Sequence, residues 1–413
     1  MFADVMKDEV PYEEILEKAD NDDFHSWGFE PLFEFQENGY EDVLDDIKNY
    51  TAVDYLALQE LRDSAKKVGD TQKVAEYQKK MDKMVDDVLA IYREKNIFPI
   101  QYFSEFGIID EIERCIAYKS FWDGNTVSCG AGVGTTLCNY LFPNLFDTPS
   151  QHDLDKTNAR SLYEKFHNDE YLKRAIKFCF SYKNGCPVPT SVMGGLRLVG
   201  SAPTNFRPMN AKAVYERFCE PGGTIFDFCC GFGGRLLGCL SSKNNYKYIG
   251  CDPNTETMYH LHQLGDYIEQ VTGREGSYEL HCCGAEDFKG PANSIDFAFS
   301  SPPYFDLEVY SDEPTQCYNK FPKLEDWLEG FVRGTIRNIV HMLKPGRVYA
   351  VNIADFNSNG SMVAYVDEWI RISKEEGAPL FDTVYLGVTA RAGSKEQAEG
   401  ELKKENILIF KKK

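Results

Sequence analysis

The pattern of hydrophobic and polar positions changes near residue 200. Beyond it, short apolar runs alternate with segments in which hydrophobic residues recur every three or four positions, which predicts buried strands alternating with amphipathic helices. The predicted strands are residues 224–228, 246–251, 279–283, 295–299, 348–353, 382–388 and 406–411. This alternation predicts an α/β fold with a doubly wound, mostly parallel, seven-stranded sheet, in which the last two strands form an antiparallel pair.

The first 200 residues have a different pattern. Residues 51–96 carry hydrophobic positions at helical spacing, with a break at residues 68–70, and therefore predict a helical hairpin. A second helical stretch covers residues 159–182. We predict an acidic N-terminal arm over residues 1–50, whose aromatic content indicates partial order. A mostly helical domain over 51–200, a candidate for substrate recognition, and an α/β catalytic domain over 201–413 complete the predicted organisation.

Length and composition are those of a multidomain protein. The chain has 413 residues, of which 43% are hydrophobic, and single cores seldom grow past about 250–300 residues. No run approaches the roughly 18 apolar residues that a membrane span needs, so we expect a cytoplasmic protein without a membrane partner. The thirteen cysteines form no Cys-x-x-Cys pair, which predicts reduced packing thiols and no metal site.

Charge is unevenly distributed along the chain. The net charge of −20 opposes phosphate binding in general, but residues 1–50 carry about −13 whereas residues 151–250 carry about +6. Four basic residues interleaved with aromatic ones are candidates for contact with a nucleic-acid substrate: Lys173, Arg174, Lys177 and Arg197. The acidic arm is expected to be a solvated tail, to occupy a basic cleft or to bind a protein partner.

The first candidate for chemistry follows the predicted strand 295–299. The strand leads into Ser301-Pro302-Pro303-Tyr304, and two consecutive prolines cannot continue a ladder of hydrogen bonds. The carbonyl groups of Ser301 and Pro302 are therefore free to accept hydrogen bonds beside the flat ring of Tyr304. This arrangement suits a planar ring with an exocyclic amino group, such as adenine or cytosine. A plain turn from strand to loop is the alternative.

The second candidate is a set of turns after the first three predicted strands. The strand 224–228 runs into a glycine-rich turn with Gly231 and Gly233, where the backbone can approach a ligand closely. The next strand ends at Asp252, whose carboxylate can accept both hydroxyls of a ribose. Either a nicotinamide dinucleotide or S-adenosyl-L-methionine (SAM) satisfies these two features. A third strand ends before Glu286-Asp287-Phe288.

Together these features resemble the SAM-dependent amino-methyltransferases of the DNA adenine-N6 and cytosine-N4 type, whose catalytic tetrapeptide is Asp, Asn or Ser followed by Pro-Pro-Tyr. The resemblance covers about residues 204–413. It implies a class I methyltransferase fold and SAM as the cofactor. The cofactor-binding residues that it implies are Phe206, Asp227, Cys229, Gly231, Gly233, Asp252, Pro253, Asp287 and Phe288, with Asp227 facing the methionine amino group.

The resemblance also implies the catalytic roles. Ser301 and Pro302 would accept hydrogen bonds from the substrate amine, and Tyr304, with Phe305, would stack on a base flipped out of a duplex. Neither a covalent enzyme intermediate nor a metal is needed, because the sulfonium is an activated methyl donor.

The substrate implied is DNA, methylated on adenine N6 or cytosine N4. The serine form of the tetrapeptide is associated with cytosine enzymes, whereas a glycine turn that precedes the tetrapeptide is more like the adenine enzymes. The C-terminal half holds no insertion large enough for target recognition, so reading of DNA would fall to residues 1–200 or to a partner. Three alternatives remain: an RNA base-amino methyltransferase, a protein-glutamine methyltransferase, and a non-catalytic binding partner.

Overall fold

The computed structural model describes residues 9–21, 39–130, 132–149, 160–181, 185–199, 203–305, 309–358, 361–388 and 403–413. Its contacts group the chain into two compact units. The sheet unit comprises Met1–His25, Glu105–Phe142 and Thr204–Lys413, and the helical unit comprises Ser26–Ser104 and Pro143–Pro203. These units divide the chain differently from the three predicted segments, since residues 105–142 group with the sheet. The aromatic residues 24–35 of the arm lie outside the described residues.

The helices are α1 Tyr12–Asp20, α2 Gly39–Ile47, α3 Ala52–Lys67, α4 Thr71–Lys95, α5 Glu105–Ala117, α6 Thr135–Leu141, α7 Leu162–His167, α8 Asp169–Cys179, α9 Pro189–Val199, α10 Pro208–Phe218, α11 Gly234–Leu240, α12 Thr255–Thr272, α13 Cys317–Lys320, α14 Leu324–Trp327, α15 Arg333–Met342 and α16 Tyr365–Glu375. A 3-10 turn covers Pro143–Phe146, and a π-helical turn, Leu328–Val332, joins α14 to α15. No helix in the described part of the chain combines the length and apolarity that crossing a bilayer requires.

The strands are β1 Trp122–Asp123, β2 Thr126–Val127, β3 Thr224–Asp227, β4 Lys247–Cys251, β5 Tyr278–His281, β6 Ile295–Ser300, β7 Leu343–Asn352, β8 Phe356–Ser358, β9 Ser361–Val363, β10 Leu380–Val388 and β11 Lys403–Lys411. Nine of them form one sheet in the order β1-β2-β10-β11-β7-β6-β3-β4-β5. The neighbours from β7 to β5 are parallel, and β11 is antiparallel to both β7 and β10. The mostly parallel sheet and the antiparallel final pair confirm those predictions.

The predicted count of seven strands is wrong. The hairpin β1–β2 adds two strands, because β2 runs parallel to β10 with Tyr385 opposite Thr126. Each strand of this hairpin is only two residues long, too short for an alternating pattern to reveal it. The sheet otherwise follows the hydrophobic runs, since Ile225, Phe226, Phe297 and Phe299 in its centre are all fully buried.

The helical unit contains the predicted hairpin. Helices α3 and α4 are separated by a turn at Val68, and the Asp70 carboxylate caps α4 by accepting a hydrogen bond of 3.0 Å from the Lys73 amide. The second predicted helix is instead two helices, α7 and α8. They break at Asn168, whose side-chain oxygen accepts from the Glu170 amide at 3.0 Å and so starts a new helix.

A buried lysine attaches helix α5 to helix α10 in the sheet unit. Lys212 is 1% exposed, and its ammonium donates hydrogen bonds to the carbonyls of Cys115, Ile116 and Tyr118 at 2.8, 3.2 and 2.9 Å. These carbonyls lie at the C-terminal end of α5, where no helical amide can reach them. The positive charge also lies favourably at the negative end of the helix dipole.

We predict that Lys212→Met destabilises the protein by about 3 kcal/mol, because the thioether cannot donate to three carbonyls that stay buried. Urea unfolding followed by far-ultraviolet circular dichroism measures the change. Lys374→Met is the matched control, because Lys374 is exposed, and its expected effect lies within about 0.5 kcal/mol. Equal effects of the two substitutions would contradict the role of Lys212.

Candidate functional site

The topology of the sheet leaves a crevice between β3 and β6. The two strands are parallel neighbours, with Phe226 opposite Ala298. From β3 the sheet continues through β4 to β5, and from β6 it continues on the other side to β7. This reversal is a topological switch point, and ligands of open α/β sheets bind outside the carboxyl ends of the strands there. The glycine-rich turn follows β3, and the Pro-Pro-Tyr turn follows β6, so both turns flank this crevice.

The glycines of the first turn have two different functions. Gly231 has φ +53°, and a Cβ atom added to it would meet no atom of the described residues within 4 Å, so these residues leave the space beside it open. Gly233 has φ +74°, and a Cβ atom there would lie 2.6 Å from the ring of Phe142. Gly231 therefore exposes its backbone to the crevice, whereas Gly233 allows the turn to pack closely.

A buried ion pair holds the start and end of this turn. Asp227 ends β3 with no exposed surface, and its Oδ2 accepts from Arg235 Nε at 2.9 Å and from the Tyr248 hydroxyl at 2.8 Å. The Arg235 guanidinium also donates to the Cys229 carbonyl in the middle of the turn. Charges buried in this way attract each other strongly, since little water screens them. The turn is thus fixed by its own side chains.

Asp252 follows β4 and faces the same turn. Its Oδ2 accepts from the Gly231 amide at 2.9 Å, and its Oδ1 accepts from the Asn254 amide at 3.1 Å. The side chain is half-buried, and burial raises the pKa of its carboxyl to about 6 although these two amides oppose the rise. A carboxylate in this position keeps lone pairs for further donors such as hydroxyl groups.

The acidic pair that follows β5 is joined by a lysine. Lys320 donates to Glu286 Oε1 at 2.6 Å and to Asp287 Oδ2. The side chain of Glu286 is only 4% exposed, whereas that of Asp287 is 31% exposed. Phe288, predicted to contact the cofactor, is buried with its ring stacked on Phe226 at a centroid distance of 5.1 Å. That ring belongs to the core beneath the crevice.

The predicted catalytic tetrapeptide begins directly beside the glycine-rich turn. The Ser300 hydroxyl, one residue before it, donates to the Cys229 carbonyl at 3.1 Å. Ser301 donates to the Asn352 carbonyl at the end of β7 at 3.2 Å, which leaves the lone pairs of its hydroxyl oxygen available. No described residue donates to the Pro302 carbonyl. The end of β6 and the start of the tetrapeptide are therefore held between the glycine-rich turn and the end of β7.

The two aromatic residues of this turn pack against different neighbours. Tyr304 is half-buried and meets Phe356 and Tyr365 edge to face, at centroid distances of 5.8 and 5.9 Å. Phe305 has φ +44°, a left-handed conformation that is strained for an aromatic residue, and its ring is 8% exposed and packs on Trp327 at 5.6 Å. The placement of Phe305 gives no support to the prediction that it stacks on a base.

The segment before α10 packs against β6 and the glycine-rich turn. Phe206 lies edge to face against Phe299 at 5.4 Å, and the Arg235 guanidinium lies 5.7 Å from its ring centre. The side-chain amide of Asn205 donates to the Phe232 carbonyl at 2.5 Å. A Cβ atom on Gly234 would overlap the Phe206 carbonyl. Phe206 therefore lies next to the glycine-rich turn, and its contact with SAM stays a prediction.

The four predicted basic contacts lie in the helical unit, and three of them are paired with acids. Lys173 lies 2.7 Å from Asp86, Arg174 lies 2.5 Å from Glu170, and Lys177 lies 3.4 Å from Asp82. Arg197 has no hydrogen-bond partner for Nε or Nη2 among the described residues, and burial lowers the pKa of its guanidinium. Arg174 and Lys177 line a cleft of about 530 Å³ together with Tyr55, Gln59, Arg62, Met81, Phe178, Ser181 and Leu198.

Sequence reasoning missed three residues of the site: Arg235, Tyr248 and Lys320. An arginine in the otherwise apolar helix α11, eight residues after Asp227, was a usable signal for a buried ion pair. Tyr248 lies in β4 among apolar residues, where a tyrosine is ordinary. Lys320 is 33 residues from Asp287 in the sequence, and nothing in its local pattern predicts their contact.

The sequence matches no protein-family model and no curated protein sequence. Several solved structures are similar to part of the chain. TrmN from Thermus thermophilus is 13% identical with a TM-score of 0.33, over 50% of this chain and 49% of its own. This chain therefore spans about half the length of TrmN.

A TehB-like SAM-dependent methyltransferase from Corynebacterium glutamicum is 14% identical with a TM-score of 0.31, over 51% of this chain and 90% of its own. Geranyl diphosphate C-methyltransferase from Streptomyces coelicolor, solved with S-adenosyl-L-homocysteine, is 11% identical with a TM-score of 0.34, over 54% and 83%.

The buried ion pair predicts an unequal effect of two substitutions. Asp227→Asn removes the charge that compensates Arg235 and should destabilise the protein by about 3–5 kcal/mol. Tyr248→Phe removes one donor to the same carboxylate and should cost about 1–2 kcal/mol. Chemical unfolding of both variants measures the difference.

The exposed residue Asp326 provides the control, since Asp326→Asn should change the stability by no more than about 0.5 kcal/mol. The ion pair is not the main determinant of the turn if Asp227→Asn proves no more harmful than Tyr248→Phe.

Proposed function

We propose that the chain is a SAM-dependent methyltransferase that transfers a methyl group to an exocyclic amino group, on adenine N6 or cytosine N4 of DNA. The observation that carries the proposal is the contact between the two turns at the switch point. Ser300, directly before Ser301-Pro302-Pro303-Tyr304, donates to Cys229 of the glycine-rich turn at 3.1 Å. A methyl donor bound at one turn and an amine bound at the other would be neighbours.

The residues around the glycine-rich turn fit a nucleoside cofactor. The open space at Gly231 admits a ligand against the backbone. Asp252 accepts from the Gly231 and Asn254 amides, one at each oxygen, and would use the remaining lone pairs to accept from ribose hydroxyls. Asp287 is the partly exposed acid at the end of the next strand and would accept from the amino group of adenine. When bound, SAM supplies a methyl group activated by its positive sulfur.

The tetrapeptide would orient the substrate. The Pro302 carbonyl and the Ser301 hydroxyl oxygen accept hydrogen bonds from the amine and so aim its lone pair at the methyl group, while Tyr304 supplies a stacking face. In the proposed reaction the amine nitrogen would bond to the methyl group as the sulfur–carbon bond breaks, and one amine proton would pass to solvent. Orientation of the amine is thus the task of the tetrapeptide, whose acceptors are neutral.

A protein-glutamine side chain is the second candidate substrate, and the paired cations favour it. Lys173, Arg174 and Lys177 each lie within 3.4 Å of a carboxylate oxygen. A phosphate backbone would compete with these acids, whereas a neutral amide would not. The same tetrapeptide could hold the amide nitrogen of glutamine. Like the amino group of adenine or cytosine, this nitrogen presents two N–H donors to the acceptors of the turn.

Methyl transfer from labelled SAM tests the function. The wild-type protein is incubated with duplex DNA, single-stranded DNA, RNA and protein, and the labelled product is digested and identified. We expect label on DNA as N6-methyladenine or N4-methylcytosine. Tyr304→Ala should lose at least about 100-fold in rate because stacking is lost, whereas Tyr304→Phe, which keeps the ring, should retain activity.

Label on protein glutamine would replace the DNA substrate by the second candidate, and label on RNA would identify the substrate as RNA. If SAM is bound but no substrate is labelled, the protein is a binding partner and the catalytic proposal is wrong.

The pKa of Asp252 predicts a pH dependence of cofactor binding. As pH falls through about 6, the carboxyl becomes protonated and loses acceptors for ribose hydroxyls. Affinity for S-adenosyl-L-homocysteine, the product form of the cofactor, should therefore be about tenfold lower at pH 5 than at pH 7.5. Calorimetric titration measures both values. Asp252→Asn should bind weakly with little change over this range, and a wild-type affinity that is constant across it would exclude Asp252 as the ribose ligand.

A further inference from the structure

A segment that follows the Pro-Pro-Tyr turn in the sequence contacts two loops of the candidate cofactor site. We call residues 309–320 the strap. Its contacts reach the loop after β4, because the Thr315 hydroxyl donates to the Pro253 carbonyl at 3.1 Å and the Thr255 hydroxyl donates to Glu313 Oε1 at 2.6 Å. The ring of Tyr310 lies 6.1 Å from that of Phe232 in the glycine-rich turn. Lys320 is the last residue of the strap.

The end of the strap is held firmly in place. Lys320 ends the short helix α13, and the ring of the next residue, Phe321, lies against Gly330, where any added Cβ atom would overlap it. At the start of the same helix, the Trp327 indole donates to the Cys317 sulfur at 3.3 Å. Packing at both ends of α13 therefore fixes the backbone from which the Lys320 side chain extends.

The ammonium of Lys320 contacts two neighbouring acids that differ in burial. The carboxylate of Glu286 packs against Gly284 and is almost fully buried, and its Oε2 atom has no hydrogen-bond partner among the described residues. Lys320 lies 2.6 Å from its other oxygen and supplies the counter-charge that this burial requires. The same ammonium contacts Oδ2 of Asp287, whose side chain remains 31% exposed. No donor among the described residues reaches Oδ1 of Asp287, so this oxygen remains to accept from a ligand.

We propose that Lys320 is a positioning residue for cofactor recognition: by pinning Asp287 Oδ2 it directs Oδ1 toward the exocyclic amino group of adenine and so makes the site selective for adenine. This inference rests on the proposed function. Without the lysine, two adjacent carboxylates would repel each other and one would take up a proton or turn away. Lys320 itself does not touch the ligand, and it acts through the orientation and charge of Asp287.

The ratio of the affinities for two ligands shows whether Lys320 positions Asp287 or only contributes to packing. S-adenosyl-L-homocysteine carries the amino group, whereas S-inosyl-L-homocysteine carries a carbonyl oxygen in its place and cannot donate to Asp287. The wild-type protein should bind the adenosine form at least about tenfold more tightly, since a hydrogen bond to a charged acceptor is at stake. Calorimetric titration of both ligands at pH 7.5 gives the ratio directly.

Lys320→Met should reduce this ratio to near one, and Lys320→Arg should preserve most of it, because a guanidinium can also bridge two carboxylates. Asp287→Asn should lose the preference as well, and the double variant should lose no more than Asp287→Asn alone, as expected for residues that act as one unit. Lys323→Met, at an exposed position three residues away, should leave the ratio unchanged.

The inference is overturned if Lys320→Met weakens both ligands equally, which is the result of a purely structural role, or leaves the ratio as it was. A wild-type protein that binds neither ligand would instead refute the proposed cofactor, and the role of Lys320 with it. The two failures are distinguished by the wild-type titration alone.

Discussion

The buried pair of Asp227 and Arg235 is the constraint on which the site depends. A charge without exposed surface is tolerated only when its partner is fixed, and here the partner comes from the helix that the turn itself begins. Arg235 also donates to the Cys229 carbonyl, which accepts in turn from Ser300 on the neighbouring strand. One guanidinium thereby connects the end of β3, the middle of the glycine-rich turn and the start of the Pro-Pro-Tyr turn. These contacts fix the positions of the three segments relative to one another.

The same pair changes what Asp227 can do. The resemblance implies that this carboxylate faces the amino group of methionine, but its Oδ2 already has two donors and the Cys229 amide lies 3.4 Å from its Oδ1. A carboxylate with no exposed surface has no room for a further ammonium group. Asp227 therefore stabilises the turn through its buried contacts. Asp252 and Asp287 are the acids whose side chains have exposed surface for a ligand. These two partly exposed carboxylates would hold the cofactor.

Sequence patterns predicted the features that depend on local periodicity. The long parallel strands, helix α12 and the helical hairpin follow from hydrophobic spacing, because each buries one face or both along its length. Patterns failed where one side chain, a very short strand or a single long-range contact decides the outcome. Asn168 breaks one predicted helix into two, the two-residue strands of the β1–β2 hairpin are too short for any period, and Lys320 reaches Asp287 across 33 residues. The turns that carry chemistry were visible because glycine and proline restrict the backbone locally. The residues that hold those turns were not.

Charge bears most directly on which molecule the site accepts. A nucleic-acid partner gains affinity when lysine and arginine replace the counterions of its phosphates, and a cation already paired with a carboxylate contributes little to that exchange. Three of the four basic candidates in the helical unit have such partners on helices α4 and α8. If the substrate is DNA, its recognition must therefore rely less on those phosphate contacts and more on the base itself. The free acceptors of Ser301 and Pro302 and the half-buried ring of Tyr304 are suited to that task, since they read an amine and a flat face and require no charge on the substrate.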